Sequence, residues 1–112
     1  MITKDLVAAS ARPLLLSILS EGESYGYALM QRIRELSGGE MEWTEGMLYP
    51  VLHRLEREEL ITAEWKAADN GRQRKYYQLN RTGRRALQEE RRQWLAVNQT
   101  LNKLWEIKPA SI

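Results

Sequence analysis

Leu60-Ile61-Thr62-Ala63-Glu64-Trp65-Lys66-Ala67-Ala68-Asp69-Asn70-Gly71-Arg72-Gln73-Arg74-Lys75-Tyr76-Tyr77-Gln78-Leu79 reads as a β-hairpin, and what lies on either side of it decides the fold. From Leu60 to Lys66 the residues alternate, with Ile61, Ala63 and Trp65 on one face and Thr62, Glu64 and Lys66 on the other. Asn70-Gly71 is a tight-turn signal, since both residue types accept positive φ. The return strand starts at Arg72, and its neighbouring Tyr76 and Tyr77 must point to opposite faces, one to the core and one to solvent. Two strands alone are not stable in water, so this hairpin has to lean on helices.

Three helices precede it. Leu14, Leu15, Leu16, Ile18 and Leu19 form the first apolar run; Pro13 fits the first turn of a helix starting near Ser10, or a kink after an earlier helical turn, two readings between which the sequence does not decide, and Gly22 ends the helix. Ser24 is the expected N-cap of the second helix, whose stripe is Tyr25, Leu29, Ile33 and Leu36. Gly26 lies in its first turn, where the missing side chain would let another backbone approach closely, and Gly38-Gly39 stops the helix. Thr44 caps the third helix and Glu45 follows at its positive end. Leu48, Val51, Leu52 and Leu55 make its apolar face, with Glu45, Tyr49, His53, Arg54 and Arg57 opposite. Pro50 conflicts with this pattern, because an interior proline costs a helix roughly 3 kcal/mol.

After the hairpin, Asn80 caps a last helix that runs to about Glu106 or Ile107 and is closed by Pro109. Leu87, Trp94 and Leu101 repeat every seventh residue, Val97 and Leu104 form a second seam, and only Glu90 interrupts. Such a helix is a rod of about 40 Å, whereas the rest of the chain makes a globule about 25–30 Å across. The rod cannot bury its seam on its own protomer, so a homodimer is expected. Its interface residues are Leu15, Leu87, Trp94, Val97, Leu101, Leu104 and Trp105.

The length, 112 residues, allows one compact unit. Cysteine is absent, so disulfides and thiolate chemistry are excluded. The lone His53 has no second histidine or well-spaced carboxylate for a metal, and no phosphate loop or catalytic triad is present; no cofactor and no enzyme activity are expected. The apolar runs are far short of a membrane span and the N-terminus lacks the order of a signal peptide, so a cytoplasmic protein with no membrane partner is expected. Charge is polarised along the chain. Residues 21–64 carry ten acidic and four basic groups, whereas residues 65–92 carry nine basic and three acidic, so the hairpin side is the one a polyanion would seek.

Three helices, a basic hairpin and a long helix are the layout of a winged helix-turn-helix: a mainly α (α+β) fold with a two-stranded β wing and a long C-terminal dimerisation helix. Residues 1–79 would form the DNA-binding part, 80–107 the dimerisation helix and 108–112 a tail. In this layout the third helix enters the major groove of double-stranded DNA and the hairpin reaches a neighbouring backbone. Thr44, Tyr49, His53 and Arg54 supply donors and a flat ring on that helix, while Lys66, Arg72, Arg74 and Lys75 supply cations on the hairpin. For Tyr49, a partly buried ring and a DNA contact both remain open.

Four segments also resemble the signature of PadR-type transcriptional regulators, in order from about Leu14 to Leu87. They are Ser24-Tyr25-Gly26-Tyr27-Ala28-Leu29, Glu45-Gly46-Met47-Leu48-Tyr49-Pro50-Val51-Leu52, Arg54-Leu55-Glu56 and Gly71-Arg72-Gln73-Arg74-Lys75-Tyr76-Tyr77. The resemblance accounts for Pro50, which PadR-like recognition helices carry at this place, and puts the segment of Tyr25 near the DNA backbone, although the bulk of Tyr25 also suits packing; Glu45 and Pro50 are counted with the DNA-contacting residues of the third helix. The single helix after Leu79 resembles the short subgroup of the family, whose last helix dimerises. Glu59 departs from the pattern, standing where the turn into the wing usually has Gly; Asn80 replaces a usual Thr. The family likeness implies a ligand-responsive repressor acting as a homodimer on a near-palindromic operator. It also implies that Trp94, with Val97 and Leu101, stacks on a flat hydrophobic or aromatic effector between subunits, although packing alone also explains Trp94. Two alternatives stay open: a winged-helix protein-interaction module, and a ligand-binding dimer without DNA binding.

Overall fold

The computed structural model describes residues 2–106. Ile107, Pro109 and the tail 108–112 lie outside the described residues. The order of elements is α1 (Lys4–Leu19), β1 (Ser24–Tyr25), α2 (Gly26–Leu36), α3 (Glu45–Arg57), β2 (Ile61–Ala67), β3 (Gln73–Leu79) and α4 (Arg81–Glu106).

α1 starts six residues earlier than Ser10, because the Thr3 hydroxyl accepts from the Leu6 amide and caps it there. Pro13 is therefore inside the helix rather than in its first turn. The second helix also departs from expectation. Ser24 is not its cap: Ser24 and Tyr25 form a short strand, Tyr25 occupies the cap position without a side-chain bond, and the helix begins at Gly26. The sheet therefore has three strands rather than two, in the order β1-β3-β2, all antiparallel.

Thr44 caps α3 as its sequence predicts, accepting from the Met47 amide. Pro50 is accommodated within α3 because the helical bond it cannot donate would have ended on the carbonyl of Gly46, and both residues are exposed to water. Leu48, Leu52 and Leu55 point into a core that they share with Leu15, Leu16 and Leu19 of α1, Leu29 and Ile33 of α2, and Ile61, Tyr77 and Leu79 of the sheet.

The α3–β2 turn uses Glu59 in the left-handed conformation, with φ 60°. Leu60 N–H donates to the Leu55 carbonyl at 3.0 Å, closing the helix end in the manner usual for glycine at this position. The hairpin turn differs from the Asn-Gly reading. Only Gly71 is left-handed (φ 82°), the Gly71 amide donates to the Ala68 carbonyl, and the Asn70 side chain accepts from the Arg72 amide. This is a turn followed by a glycine bulge, not a two-residue mirror-image turn.

Asn80 links the sheet to α4 as a double clasp. Its side-chain oxygen accepts from Gly83 N–H at 2.8 Å and its amide donates to the Glu59 carbonyl at 2.7 Å. Gly83 then lies against the Leu60 carbonyl, so close that a β-carbon could not fit. α4 leaves the globule from this anchor, and the molecule measures 61 × 29 × 21 Å. Among the described residues no helix is long and apolar enough to cross a membrane.

Candidate nucleic-acid interface

The exposed side of α3 follows from its helical angles. With Leu48, Leu52 and Leu55 inward, Pro50, His53 and Arg57 are turned outward and all three are exposed. Thr44 and Glu45 are exposed at its N-terminal end. Arg54 lies on the other flank, where with Met47 and Val51 it borders a groove beside α1. Tyr49 sits on the sheet side of the helix, half-buried, its hydroxyl packed over Gly26 and its ring 6.2 Å from that of His53. Gly26 thus admits a side chain rather than a backbone segment.

The strands give the wing two chemically distinct faces. Ile61, Ala63, Tyr77 and Leu79 line the inner face, where Tyr77 is 1% exposed and its burial raises the phenol pKa to about 12. The neighbouring Tyr76 points outward, as the alternation requires. Toward the tip the inner face runs out of core, and Trp65 is 63% exposed although its parity matches Ile61. Lys75, opposite Trp65, turns back to Glu56 of α3 at 3.5 Å.

The outer face carries Tyr25, Lys66, Arg74 and Tyr76. Arg74 stacks on the Tyr25 ring, 4.0 Å from its centroid; Tyr25 meets Tyr76 edge to face at 5.6 Å; and the Lys66 ammonium lies 5.0 Å from the Tyr76 centroid. Glu23 closes the row, accepting from Lys66 through both oxygens at 2.7 and 2.8 Å. That hydrogen bond raises the Lys66 pKa, with desolvation opposing it. Arg72 at the tip, and Arg81, Arg84 and Arg85 on the first turns of α4, are exposed and make no ion pair among the described residues.

The structure therefore joins Tyr25, Lys66 and Arg74 in one cluster. It keeps Arg72 at the tip and Lys75 on the opposite face, and it separates Arg54 from the outward residues of α3. Glu23, Arg57 and Gly83 were not among the predicted site residues. Arg57 was legible on the face opposite Leu48; Glu23 and Gly83 depend on contacts with residues more than twenty positions away.

Along α4 the seam changes character. Leu87 is buried against the protomer's own core, and Leu15 is wholly buried there, so neither presents an interface to a second chain as expected. Glu90, the interruption of the repeat, receives the Arg12 guanidinium of α1 at 2.8 Å, and the same arginine reaches Glu58 at 2.5 Å. Trp94 and Leu101 are half-buried, whereas Val97, Leu104 and Trp105 are 53%, 62% and 67% exposed. Within one protomer, Trp94, Val97 and Leu101 line neither the cavity beside the α1–β1 loop nor the one between α1 and α3. The larger, about 780 Å³, lies beside α1, with Val7, Ala11, Met41, Trp43, Met47 and Val51 among its apolar walls. Among the described residues no group of three or more His, Asp or Glu side chains is placed to hold a metal.

Comparison with known proteins agrees with this architecture. Residues 15–89 match the model of the transcriptional regulator PadR-like family. A transcriptional regulator of Mycobacterium tuberculosis is 37% identical over 89 residues, covering 80% of this chain and 79% of that protein. The crystal structure of a PadR-like transcriptional regulator from Bacillus cereus superposes with a TM-score of 0.82 at 30% identity, covering 94% of this chain and all of that one. A transcriptional regulator from Clostridium thermocellum gives the same TM-score at 26% identity, covering 96% of this chain and 100% of its own.

Proposed function

The chain belongs to the PadR-like family of transcriptional regulators, and from that premise we propose that it binds duplex DNA as a homodimer and represses transcription in response to a small molecule. The observation that carries the reading is the pairing of an outward α3 face with a cation-bearing wing on one protomer, together with an α4 whose distal apolar seam that protomer leaves uncovered. α3 would read base edges in the major groove through the outward His53, with Thr44, Glu45 and Pro50 beside it, while Tyr49 and Arg54, set back on its two flanks, would reach only the edges of the same groove. Arg72, Arg74, Lys66 and Lys75 would neutralise phosphates and supply affinity rather than sequence choice. Two such heads related by a twofold axis call for a near-palindromic operator. In this reading residues 1–79 are the DNA-binding part and α4 the dimerisation part.

Direct measurement is by titration of the protein against duplex from its own upstream region, at two salt concentrations, with random duplex as the competitor. The regulator reading expects preference for the upstream duplex and a steep fall in affinity with salt. Equal binding to both duplexes would overturn it. Arg72→Ala with Arg74→Ala should weaken binding to every sequence alike and flatten the salt dependence.

The effector would be a flat aromatic compound stacked on Trp94 between the two copies of α4, flanked by Val97 and Leu101. It would act by binding one spacing of the recognition helices better than another. Quenching of tryptophan fluorescence by such compounds, abolished in Trp94→Ala while the dimer persists, supports this; quenching that survives the substitution removes it.

A further inference from the structure

We infer that the Lys66–Tyr76 corner of the wing is a subsite for a phosphodiester of the DNA backbone, and that the Glu23 carboxylate is its internal occupant in the free protein. The inference rests on the DNA-binding reading above and adds a residue that lies outside it.

Lys66 projects from the outer face of β2, and its cross-strand partner is Arg74. The two cations flank the Tyr25–Tyr76 pair, each over one ring, so the aromatic rows hold both heads on the same surface. Glu23 comes from the loop between α1 and β1, forty-three residues away in sequence, and meets Lys66 with both oxygens at nearly equal distance. Two equivalent anionic oxygens facing one ammonium is also how a phosphodiester presents its non-bridging oxygens. The loop is steadied from its other end by the two-point bond between Glu21 and Arg32.

The pair is built to exchange rather than to hold. Lys66 and Glu23 side chains are 37% and 42% exposed, and ion pairs at that exposure are weak because water and salt screen them. A backbone phosphate therefore competes with the carboxylate at little cost in stability. The exchange has a signature in salt dependence. When free Lys66 neutralises a phosphate, the DNA releases about 0.9 of a counterion. When Lys66 must first leave Glu23, the freed carboxylate takes up a cation and nearly cancels that release. In the wild type this corner thus adds contact without adding salt dependence.

Glu23→Gln keeps the loop and removes the competing charge. In the full-length protein it should raise affinity for specific and random duplex alike by about threefold per protomer, converted from the energy of an exposed pair. It should also steepen the log–log salt slope by about 0.9 per protomer. In a Lys66→Met background the same change should do neither, which separates local exchange from a general loss of negative charge. Wild-type affinity and slope in Glu23→Gln, or an equal gain with and without Lys66, overturns the inference while leaving DNA binding intact. A second measurement does not need duplex at all. Inorganic phosphate titrated into Glu23→Gln should shift the NMR signals of Lys66 Nζ and the Tyr76 ring with a midpoint about threefold lower than in the wild type; equal midpoints, or no shift in either protein, overturn the subsite even where the regulator reading has failed separately.

Discussion

The hydroxyl of Tyr49 occupies the volume that a β-carbon on Gly26 would fill. A Cβ built at Gly26 would overlap the Tyr49 oxygen and approach its ring Cζ to 3.0 Å. Through this contact the start of α2 packs directly against α3. Helix propensity alone would favour alanine at Gly26 by about 0.5–1 kcal/mol. The overlap reverses the sign: Gly26→Ala should destabilise by about 1–3 kcal/mol in chemical denaturation. Adding Tyr49→Phe removes the overlapping atom and should restore a good part of the loss. A Gly26→Ala protein as stable as the wild type, or one that Tyr49→Phe makes no better, shows that the contact does not bear on stability.

Glu59 holds the α3–β2 turn in a conformation that costs a residue with a side chain about 1 kcal/mol or more. Its side chain is exposed, while its carbonyl is held by Asn80. Glu59→Gly should therefore raise stability by about 0.5–1 kcal/mol, the relief of strain exceeding the entropy that glycine adds to the unfolded chain. Glu59→Ala keeps the strain and should gain nothing. Equal midpoints for the Gly and Ala variants would mean that the backbone, not the residue, decides this turn.

The turn marks where the sequence was readable and where it was not. The caps at Thr44 and Asn80, the inward set Leu48, Leu52 and Leu55, and the opposite facing of Tyr76 and Tyr77 are local patterns, each fixed by residues within one or two turns. The departure at Glu59 was visible, yet the preserved backbone was not, because it is enforced by Asn80 twenty-one positions on. Strand β1 escaped for the same reason: two residues carry no periodicity, and Ser24 and Tyr25 become a strand only by pairing with Tyr77 and Tyr76. At the candidate interface the cations were legible one by one. Which face each occupies was not, since Lys66 and Arg74 are brought together by strand register, and the Glu23 partner by a loop. Glu90 looked like a flaw in a seam and is an ion pair to Arg12.

Tyr77 makes the fold sensitive to alkali. Its hydroxyl is buried without a hydrogen-bond partner among the described residues, and burial raises its pKa to about 12. The unfolded phenol ionises near the ordinary value of about 10. Between these values the unfolded chain binds fewer protons than the folded one, so stability that is complete below pH 10 is lost as pH rises toward 12. Tyr77→Phe removes both the titration and an unsatisfied polar atom. It should be at least as stable as the wild type at pH 7, by up to about 1 kcal/mol, and lose less between pH 10 and 12. Parallel stability curves for the two proteins above pH 10 would rule this out.

The exposed end of α4 supplies the most direct test of the dimer. Leu104 is 62% exposed in the protomer and lies outside its buried core, so a charge there costs the isolated fold almost nothing. Buried against a second copy, the same charge would have no partner and would be expensive. Leu104→Glu should therefore leave the helical circular dichroism intact while shifting the molecular mass in sedimentation from dimer to monomer. Loss of the second head should then weaken operator binding by about a hundredfold or more, because the two half-sites no longer act as one. A variant that stays dimeric would move the interface off the distal α4 seam. One that becomes monomeric but keeps full operator affinity would show that a single wing and α3 suffice for binding.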